Sequence, residues 1–163
     1  MKDAAEELLE NVALPFEQAR AMPPSVYTSE AFLARETSSI FAQDWFCAGR
    51  VDALANPGDY ITLDLADQPI IILRDQSGAL RAMSNVCRHR MSTLLEGRGN
   101  TRSIVCPYHA WTYGLDGQLR GAPAMISGAP CSGAQANRRS TNASSELRTA
   151  SASGTIRLRN HAG

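Results

Sequence analysis

Two short motifs, each with one cysteine and one histidine, constrain this chain more than any other feature of its sequence. They are Cys87-Arg88-His89 and Cys106-Pro107-Tyr108-His109, and sixteen residues separate them. Together they use two of the four cysteines and two of the three histidines in a chain of 163 residues. In zinc fingers, by contrast, cysteine is paired with cysteine and histidine with histidine along the chain. The grouping therefore favours a site in which two loops hold a metal centre between them.

The chemistry of these four side chains indicates which centre the loops would hold. A dinuclear centre fits, with both thiolates on one iron and both imidazoles on the other, as in a Rieske [2Fe–2S] centre. Neutral imidazoles remove negative charge and so raise the reduction potential relative to an all-cysteine cluster. We therefore predict Cys87, His89, Cys106 and His109 as metal ligands, and we predict no catalytic residue. Two alternatives stay open: a zinc site, and buried thiols with core histidines that bind no metal.

At these motifs the sequence resembles the Rieske non-haem iron oxygenases, the aromatic ring-hydroxylating dioxygenases among them, in the N-terminal part of their alpha subunit. The resemblance covers residues 25–125 and is carried by short matching segments, which are residues 40–41, 45, 58–60, 74–75, 85–90, 106–111, 113, 115–117, 119 and 122–123. The chain departs from the family at Met91, where most members have glycine after the Cys-x-His-Arg motif. Because methionine fills irregular spaces, we expect Met91 to alter loop packing or cluster shielding rather than ligation.

The resemblance implies a function in electron transfer. Family members receive electrons from a ferredoxin or flavin reductase that uses NAD(P)H, and they often associate with other alpha subunits. Their cluster passes electrons to a mononuclear Fe(II), held by two histidines and a carboxylate in a following domain, which hydroxylates an aromatic ring or oxidatively demethylates a quaternary amine. Only His161 remains here once the cluster takes two histidines. We therefore expect an electron-transfer Rieske domain of an oxidoreductase, without the oxygen-activating iron. The alternatives are a stand-alone Rieske ferredoxin and a zinc-stabilised interaction module.

Four residues beside the predicted ligands are assigned supporting roles, each with an alternative. The hydroxyl of Tyr108 would donate to a cluster sulfur or to the Cys106 thiolate, unless Tyr108 is a core aromatic residue. Trp111 is expected to pack beneath its loop rather than to conduct electrons. Arg88 and Arg90 flank His89 and would face an acidic partner, or are simply solvated.

The rest of the sequence predicts an all-β fold of antiparallel strands behind a short helical lead-in. Apolar spacing predicts helices over residues 4–12 and 29–45. Alternation and turn residues then predict strands over residues 60–65, 69–73, 79–83 and 103–105, and a hairpin of residues 111–113 with 118–120. Cys47 is predicted as a core thiol. We divide the chain into a lead-in (1–26), a Rieske domain incomplete at its C-terminal end (27–125) and a tail (126–163).

The tail differs sharply from the body in composition. Residues 126–163 contain no aromatic residue and carry a net charge of +4, whereas residues 1–125 carry −4. So few apolar side chains cannot offset the entropy of ordering the segment, and the tail is predicted to be mostly disordered. Residues 155–159 are the exception, because they alternate like a strand. The composition changes abruptly after about Met125. This leads to a second hypothesis, that the chain is an alpha subunit that is frameshifted or ends prematurely after this residue.

Composition also excludes some classes of partner. Sixteen basic and sixteen acidic residues cancel, so no overall basic field favours nucleic acid. No apolar stretch is long enough to span a membrane, and the acidic N-terminus does not resemble a signal peptide. We therefore expect a cytoplasmic protein with reduced thiols and without nucleic-acid or membrane partners.

Overall fold

The N-terminal region is helical in the computed structural model, which describes residues 3–123, 145–150 and 155–160. Its helical segments are α1 (Ala4–Val12), a 3₁₀ turn (Phe16–Gln18), α2 (Pro24–Thr28), α3 (Glu30–Glu36) and a π-helical turn (Thr37–Phe41). The first helix has the predicted bounds.

The second predicted helix begins at its expected position but ends early. Ser29 caps α3, since its Oγ accepts the backbone N–H of Phe32 at 3.2 Å. The helical path stops at Phe41, so the predicted extension to Trp45 is wrong. Trp45 instead begins a strand, because its backbone pairs with a strand from the C-terminal part of the chain.

The described strands form three antiparallel sheets. They are β1 (Trp45–Arg50), β2 (Asp59–Leu65), β3 (Gln68–Arg74), β4 (Leu80–Ser84), β5 (Arg98–Asn100), β6 (Ile104–Val105), β7 (Thr112–Tyr113), β8 (Leu119–Gly121), β9 (Ser145–Ala150) and β10 (Thr155–Asn160). The sheet orders are β1-β10-β9, β4-β3-β2-β5 and β6-β7-β8. A 3₁₀ turn (Val51–Leu54) joins β1 to the loop before β2. The predicted all-β fold is confirmed.

Strand β3 separates two hydrophobic cores because successive side chains of a strand point to opposite faces. Ile70 and Ile72 lie in one core, and Ile71 and Leu73 lie in the other. The second core also contains the buried thiols and lies beneath the loops that carry them; its members are Ile71, Leu73, Cys87, Leu94, Ile104, Cys106, Tyr113 and Leu115. Residues 69–73, which the sequence predicted as a strand, therefore lie in β3 and pack beneath the candidate site.

Two strands lie in the described part of the predicted tail. Strand β10 pairs with β1 from Trp45↔Arg159 to Arg50↔Thr155, and β9 pairs with β10. Ile156 is fully buried in the first core. The predicted strand at 155–159 is therefore confirmed, β9 at residues 145–150 was not predicted, and disorder of the rest of the tail stays a prediction. The edge of β1 supplies hydrogen-bond partners that composition could not reveal. Residues 124–144, with Cys131, and His161 lie outside the described residues, and the frameshift hypothesis stays a prediction.

The structure differs from the sequence expectations in two smaller respects. Strand β5 was not predicted, and its Gly99 packs against the ring of Tyr60, where a Cβ would lie 3.0 Å from the tyrosine hydroxyl oxygen. Cys47 lies on β1, where it is exposed rather than the predicted core thiol. Within the described residues, no helix is long and apolar enough to cross a membrane.

Candidate metal centre

The first cysteine–histidine loop is a tight turn closed by two backbone hydrogen bonds. The N–H of Cys87 donates to the carbonyl of Ser92 at 2.8 Å, and the N–H of Met91 donates to the carbonyl of Cys87 at 2.9 Å. Met91 has a φ of 55°, in the left-handed region that favours glycine. Its side chain is 74% exposed, so Met91 does not fill the loop as predicted.

The second loop repeats this hydrogen-bond plan. The N–H of Cys106 donates to the carbonyl of Trp111 at 2.8 Å, and the N–H of Ala110 donates to the carbonyl of Cys106 at 3.0 Å. Ala110, with a φ of 57°, occupies the left-handed position that Met91 occupies in the first loop. The two cysteines therefore stand at equivalent points of two equivalent turns.

A buried side chain fixes the base of the first loop. Asn85 is 4% exposed, and its amide nitrogen donates to the carbonyl of Leu95 at 2.7 Å. Its amide oxygen accepts the N–H of Leu95 at 2.9 Å. This two-bond clamp joins the strand end before Cys87 to the segment after the loop, so the loop has little freedom to open.

The two thiols are buried and adjacent. Cys87 is fully buried, Cys106 is 2% exposed, and the Cys106 thiol interacts with that of Cys87. Burial opposes ionisation of Cys106, but the backbone N–H groups of Tyr108 and His109 outweigh it and lower the pKa of the Cys106 thiol. The pocket therefore favours the thiolate, which is the form that binds iron.

A tyrosine that carries part of the family resemblance, but to which the sequence assigned no role, contacts the first thiol. The hydroxyl oxygen of Tyr113 lies 3.3 Å from Sγ of Cys87 and accepts the N–H of Arg88 at 3.2 Å. Burial, and then the neighbouring Cys87, raise the pKa of Tyr113 to about 12, so the hydroxyl keeps its proton. Its position two residues after Trp111, in the strand that leaves the second loop, is the sequence signal that could have identified it.

The sequence had assigned this kind of contact to Tyr108. The ring of Tyr108 instead lies 3.8 Å, centroid to centroid, from the ring of His109, and the side chain is 59% exposed. Tyr108 is therefore not a core aromatic residue, and its predicted hydrogen bond to a cluster sulfur or to the Cys106 thiolate stays a prediction.

The two imidazoles also lie close together. Each is the histidine of one loop, two or three residues after the cysteine of that loop. The ring centroids of His89 and His109 are 4.7 Å apart, and His89 stacks on Trp111 at 4.8 Å with an interplanar angle of 4°. Nδ1 of His109 is buried without a hydrogen-bond partner. Burial, the charge of His89 and the charge of Arg90 all lower the pKa of His109. A neutral imidazole with an orphaned buried nitrogen fits a metal ligand.

The structure places the four predicted ligands as a thiol pair and an imidazole pair on twin loops, and in the part of the chain that it describes no three such side chains are close enough together to hold one metal ion. Trp111 lies against a histidine, and Arg88 and Arg90 are exposed beside His89. Two thiols on one side and two imidazoles on the other suit a dinuclear centre.

Residues 44–135 match the family model described as the Rieske [2Fe-2S] domain. The chain belongs to this family. A Rieske domain binds a [2Fe–2S] cluster, so the predicted family and cofactor are confirmed.

Curated relatives of this Rieske domain are oxygenase subunits. The chain is 41% identical over 117 residues to the carnitine monooxygenase oxygenase subunit of Acinetobacter baumannii, an alignment that covers 71% of this chain and 32% of that protein. It is 42% identical over 106 residues to the chloroplastic choline monooxygenase of Spinacia oleracea, covering 65% and 24%. The chain therefore spans about a third or less of the length of these relatives.

Solved structures agree with this assignment. The quaternary ammonium Rieske monooxygenase CntA in complex with γ-butyrobetaine matches with a TM-score of 0.70 and 33% identity, covering 86% of this chain and 39% of that one. Naphthalene 1,2-dioxygenase with bound indole matches with a TM-score of 0.65 and 26% identity, covering 82% and 30%. Both alignments cover more of this chain than the family model does.

Proposed function

We propose that this chain is the electron-transfer Rieske domain of an oxygenase alpha subunit, with Cys87 and Cys106 on one iron and His89 and His109 on the other. The observation that carries the proposal is the pairing of two thiols and two imidazoles on loops with the same hydrogen-bond plan. A [2Fe–2S] cluster held there supplies reversible one-electron transfer.

The chain's own residues hold, tune and shield this centre. The backbone N–H groups of the second loop favour the thiolate of Cys106, and the Tyr113 hydroxyl donates to Cys87 once that thiol has lost its proton. The thiols lie deep in the core, whereas His89 is exposed. Electrons therefore enter or leave most directly on the imidazole side.

We further propose that the whole protein is a monooxygenase of a quaternary ammonium compound rather than a dioxygenase of aromatic rings. The curated relatives are named for carnitine, choline and glycine betaine, at 37% to 42% identity. The naphthalene dioxygenase match has a lower identity of 26%.

A flavin or ferredoxin reductase would supply the electrons. Other alpha subunits would be partners too, since a solved quaternary ammonium monooxygenase is described as showing inter-subunit electron transfer. Two free buried thiols suit the reducing cytoplasm.

The cluster is tested by anaerobic purification or reconstitution of the 163-residue chain, followed by iron and sulfide analysis and optical and electron paramagnetic resonance (EPR) spectra. We expect a coloured protein with two irons and two sulfides per chain. Cys87→Ser or His109→Ala should abolish the visible spectrum, whereas Cys47→Ser, which changes an exposed cysteine on β1, should preserve it. A colourless protein with one zinc, or a spectrum that survives either ligand change, refutes the assignment.

A stand-alone Rieske ferredoxin is the second candidate function. It is favoured by one observation, the pairing of β10 with β1 that buries Ile156 and covers an edge of the β fold within this chain. The reading frame downstream of codon 125 separates the candidates. A continuation with two histidines and a carboxylate for a mononuclear iron supports the oxygenase, and the lack of one in any frame supports the carrier.

A further inference from the structure

Ser92 ends the first ligand loop and is held there by its own backbone. Its carbonyl accepts the N–H of Cys87 at 2.8 Å, which is one of the two hydrogen bonds that close the loop. Ser92 is partly buried, whereas its neighbours Met91 and Thr93 are exposed. The bond that positions the first cysteine therefore also positions this serine.

The hydroxyl of Ser92 reaches across to the second loop. It forms a side-chain hydrogen bond with the thiol of Cys106. The hydroxyl oxygen also lies 3.3 Å from the carbonyl of Thr93, a second possible acceptor. A hydroxyl has one proton to donate, and an ionised acceptor binds it more strongly than a neutral one does. Once Cys106 is a thiolate, the hydroxyl of Ser92 therefore donates to its sulfur.

This contact is the counterpart of the one that Tyr113 makes. Tyr113 follows the second loop, and its hydroxyl oxygen lies 3.3 Å from Sγ of Cys87 in the first loop. Ser92 ends the first loop and contacts the thiol of Cys106 in the second loop. Each thiol is thus met by a hydroxyl from the opposite loop. Because both thiols are buried, these two hydroxyls replace hydrogen bonds that water would otherwise supply.

Resting on the proposed function, we propose that Ser92 helps to set the reduction potential of the centre by donating a hydrogen bond to the thiolate of Cys106. Reduction adds negative charge to a site whose two thiolates are adjacent and buried. In such a site a hydrogen bond to a ligand sulfur stabilises the reduced state more than the oxidised state. Ser92 acts through Cys106 and binds no iron itself.

A spectroscopic redox titration of the cluster-loaded chain and its variants tests this role. We expect Ser92→Ala to shift the one-electron equilibrium about fivefold to tenfold towards the oxidised form, which lowers the midpoint potential by about 40 to 60 mV. Ser92→Thr keeps the hydroxyl and should restore most of the potential. Thr93→Val removes a hydroxyl from the exposed next residue and is the matched control, with little expected shift.

The hydrogen bond itself has a spectroscopic signature. Pulsed EPR of the reduced protein in H2O and in D2O detects exchangeable protons that lie close to the cluster. We expect one such proton to be lost in Ser92→Ala and to be present in Ser92→Thr and Thr93→Val. A role limited to closing the loop would leave this set of protons unchanged.

Each outcome bears on Ser92 separately from the cluster. A Ser92→Ala variant that loads its cluster and keeps the unmodified potential overturns the proposal. The same follows if Ser92→Thr lowers the potential as far as Ser92→Ala does, since the hydroxyl would then not be the cause. Ser92→Gly is a second way to remove the hydroxyl and takes the place of Ser92→Ala if that variant does not fold. An unmodified chain that assembles no cluster instead refutes the proposed function.

Discussion

The hydroxyl of Tyr113 contacts two consecutive residues at the start of the first ligand loop, 3.3 Å from Sγ of Cys87 and 3.2 Å from the backbone nitrogen of Arg88. Because the pKa of Tyr113 is raised to about 12, the hydroxyl keeps its proton and donates it to the sulfur when Cys87 is a thiolate. A hydrogen bond to a thiolate stabilises the more negative, reduced form of a centre.

Tyr113→Phe should therefore lower the midpoint potential of the cluster without preventing its assembly. One charge-assisted hydrogen bond corresponds to about 60 mV, a tenfold change in the one-electron equilibrium. A spectroscopic redox titration measures it. Tyr108→Phe is the matched control, and its exposed hydroxyl predicts a much smaller shift. Equal shifts in the two variants would contradict the role of Tyr113.

Sequence reasoning predicted the ligands but gave Tyr113 no role beside them, for a physical reason. Each ligand pair lies within four consecutive residues, so its grouping is visible along the chain. The contact of Tyr113 with Cys87 joins positions 26 residues apart and exists only after both loops have closed. Alternation predicted strand β10, but its pairing with β1 and the burial of Ile156 join distant parts of the chain and were not predicted.

Ile156 provides a test of whether the C-terminal hairpin belongs to the folded domain. The side chain is fully buried with Leu54, Leu65, Ile70 and Ile72, so Ile156→Ala should cost about 3 kcal/mol of unfolding free energy. Denaturant unfolding measures the loss. The control Cys47→Ala changes an exposed residue of the neighbouring strand and should cost less than about 0.5 kcal/mol. An Ile156 variant as stable as this control would mean that the hairpin contributes nothing to the fold.

Met91 adopts a φ of 55°, a conformation that costs a residue with a side chain about 1 kcal/mol relative to glycine. Because the Met91 side chain is exposed, Met91→Gly removes strain with little loss of packing. We expect the folded chain to gain up to about 1 kcal/mol, measured by the same denaturant titration. Gly78 already has a left-handed φ, so Gly78→Ala should destabilise and serves as the opposite control. Destabilisation by Met91→Gly would show that the methionine side chain supports the loop.

Asp75 should make stability fall in acid. The carboxylate is buried; although burial raises the pKa of Asp75, hydrogen bonds from Ser77, Arg81 and the N–H of Ala79 outweigh it and lower the pKa to about 2. The folded-state pKa lies below the ordinary value of 3.8, so the stabilisation is present above about pH 4 and is lost as the pH falls towards 2. Because Arg81 is half exposed, solvent screening limits the effect to about 1 to 2 kcal/mol. In Asp75→Asn, unfolding free energy should lose this pH dependence; an unchanged acid profile would contradict it.

Trp111 holds the exposed histidine of the centre in place. Its ring lies parallel to that of His89 at 4.8 Å, a contact that limits the freedom of the imidazole to turn away. Trp111→Ala should let the cluster assemble but shorten its lifetime against an iron chelator about fivefold to tenfold, because stacking of this kind is worth about 1 kcal/mol. Loss of visible absorption gives the rate, and a changed EPR signal would report a displaced histidine. Trp111→Phe keeps a stacking ring and should restore most of the lifetime. If Trp111→Ala and Trp111→Phe decay at the same rate as the unmodified chain, the stack does not position His89.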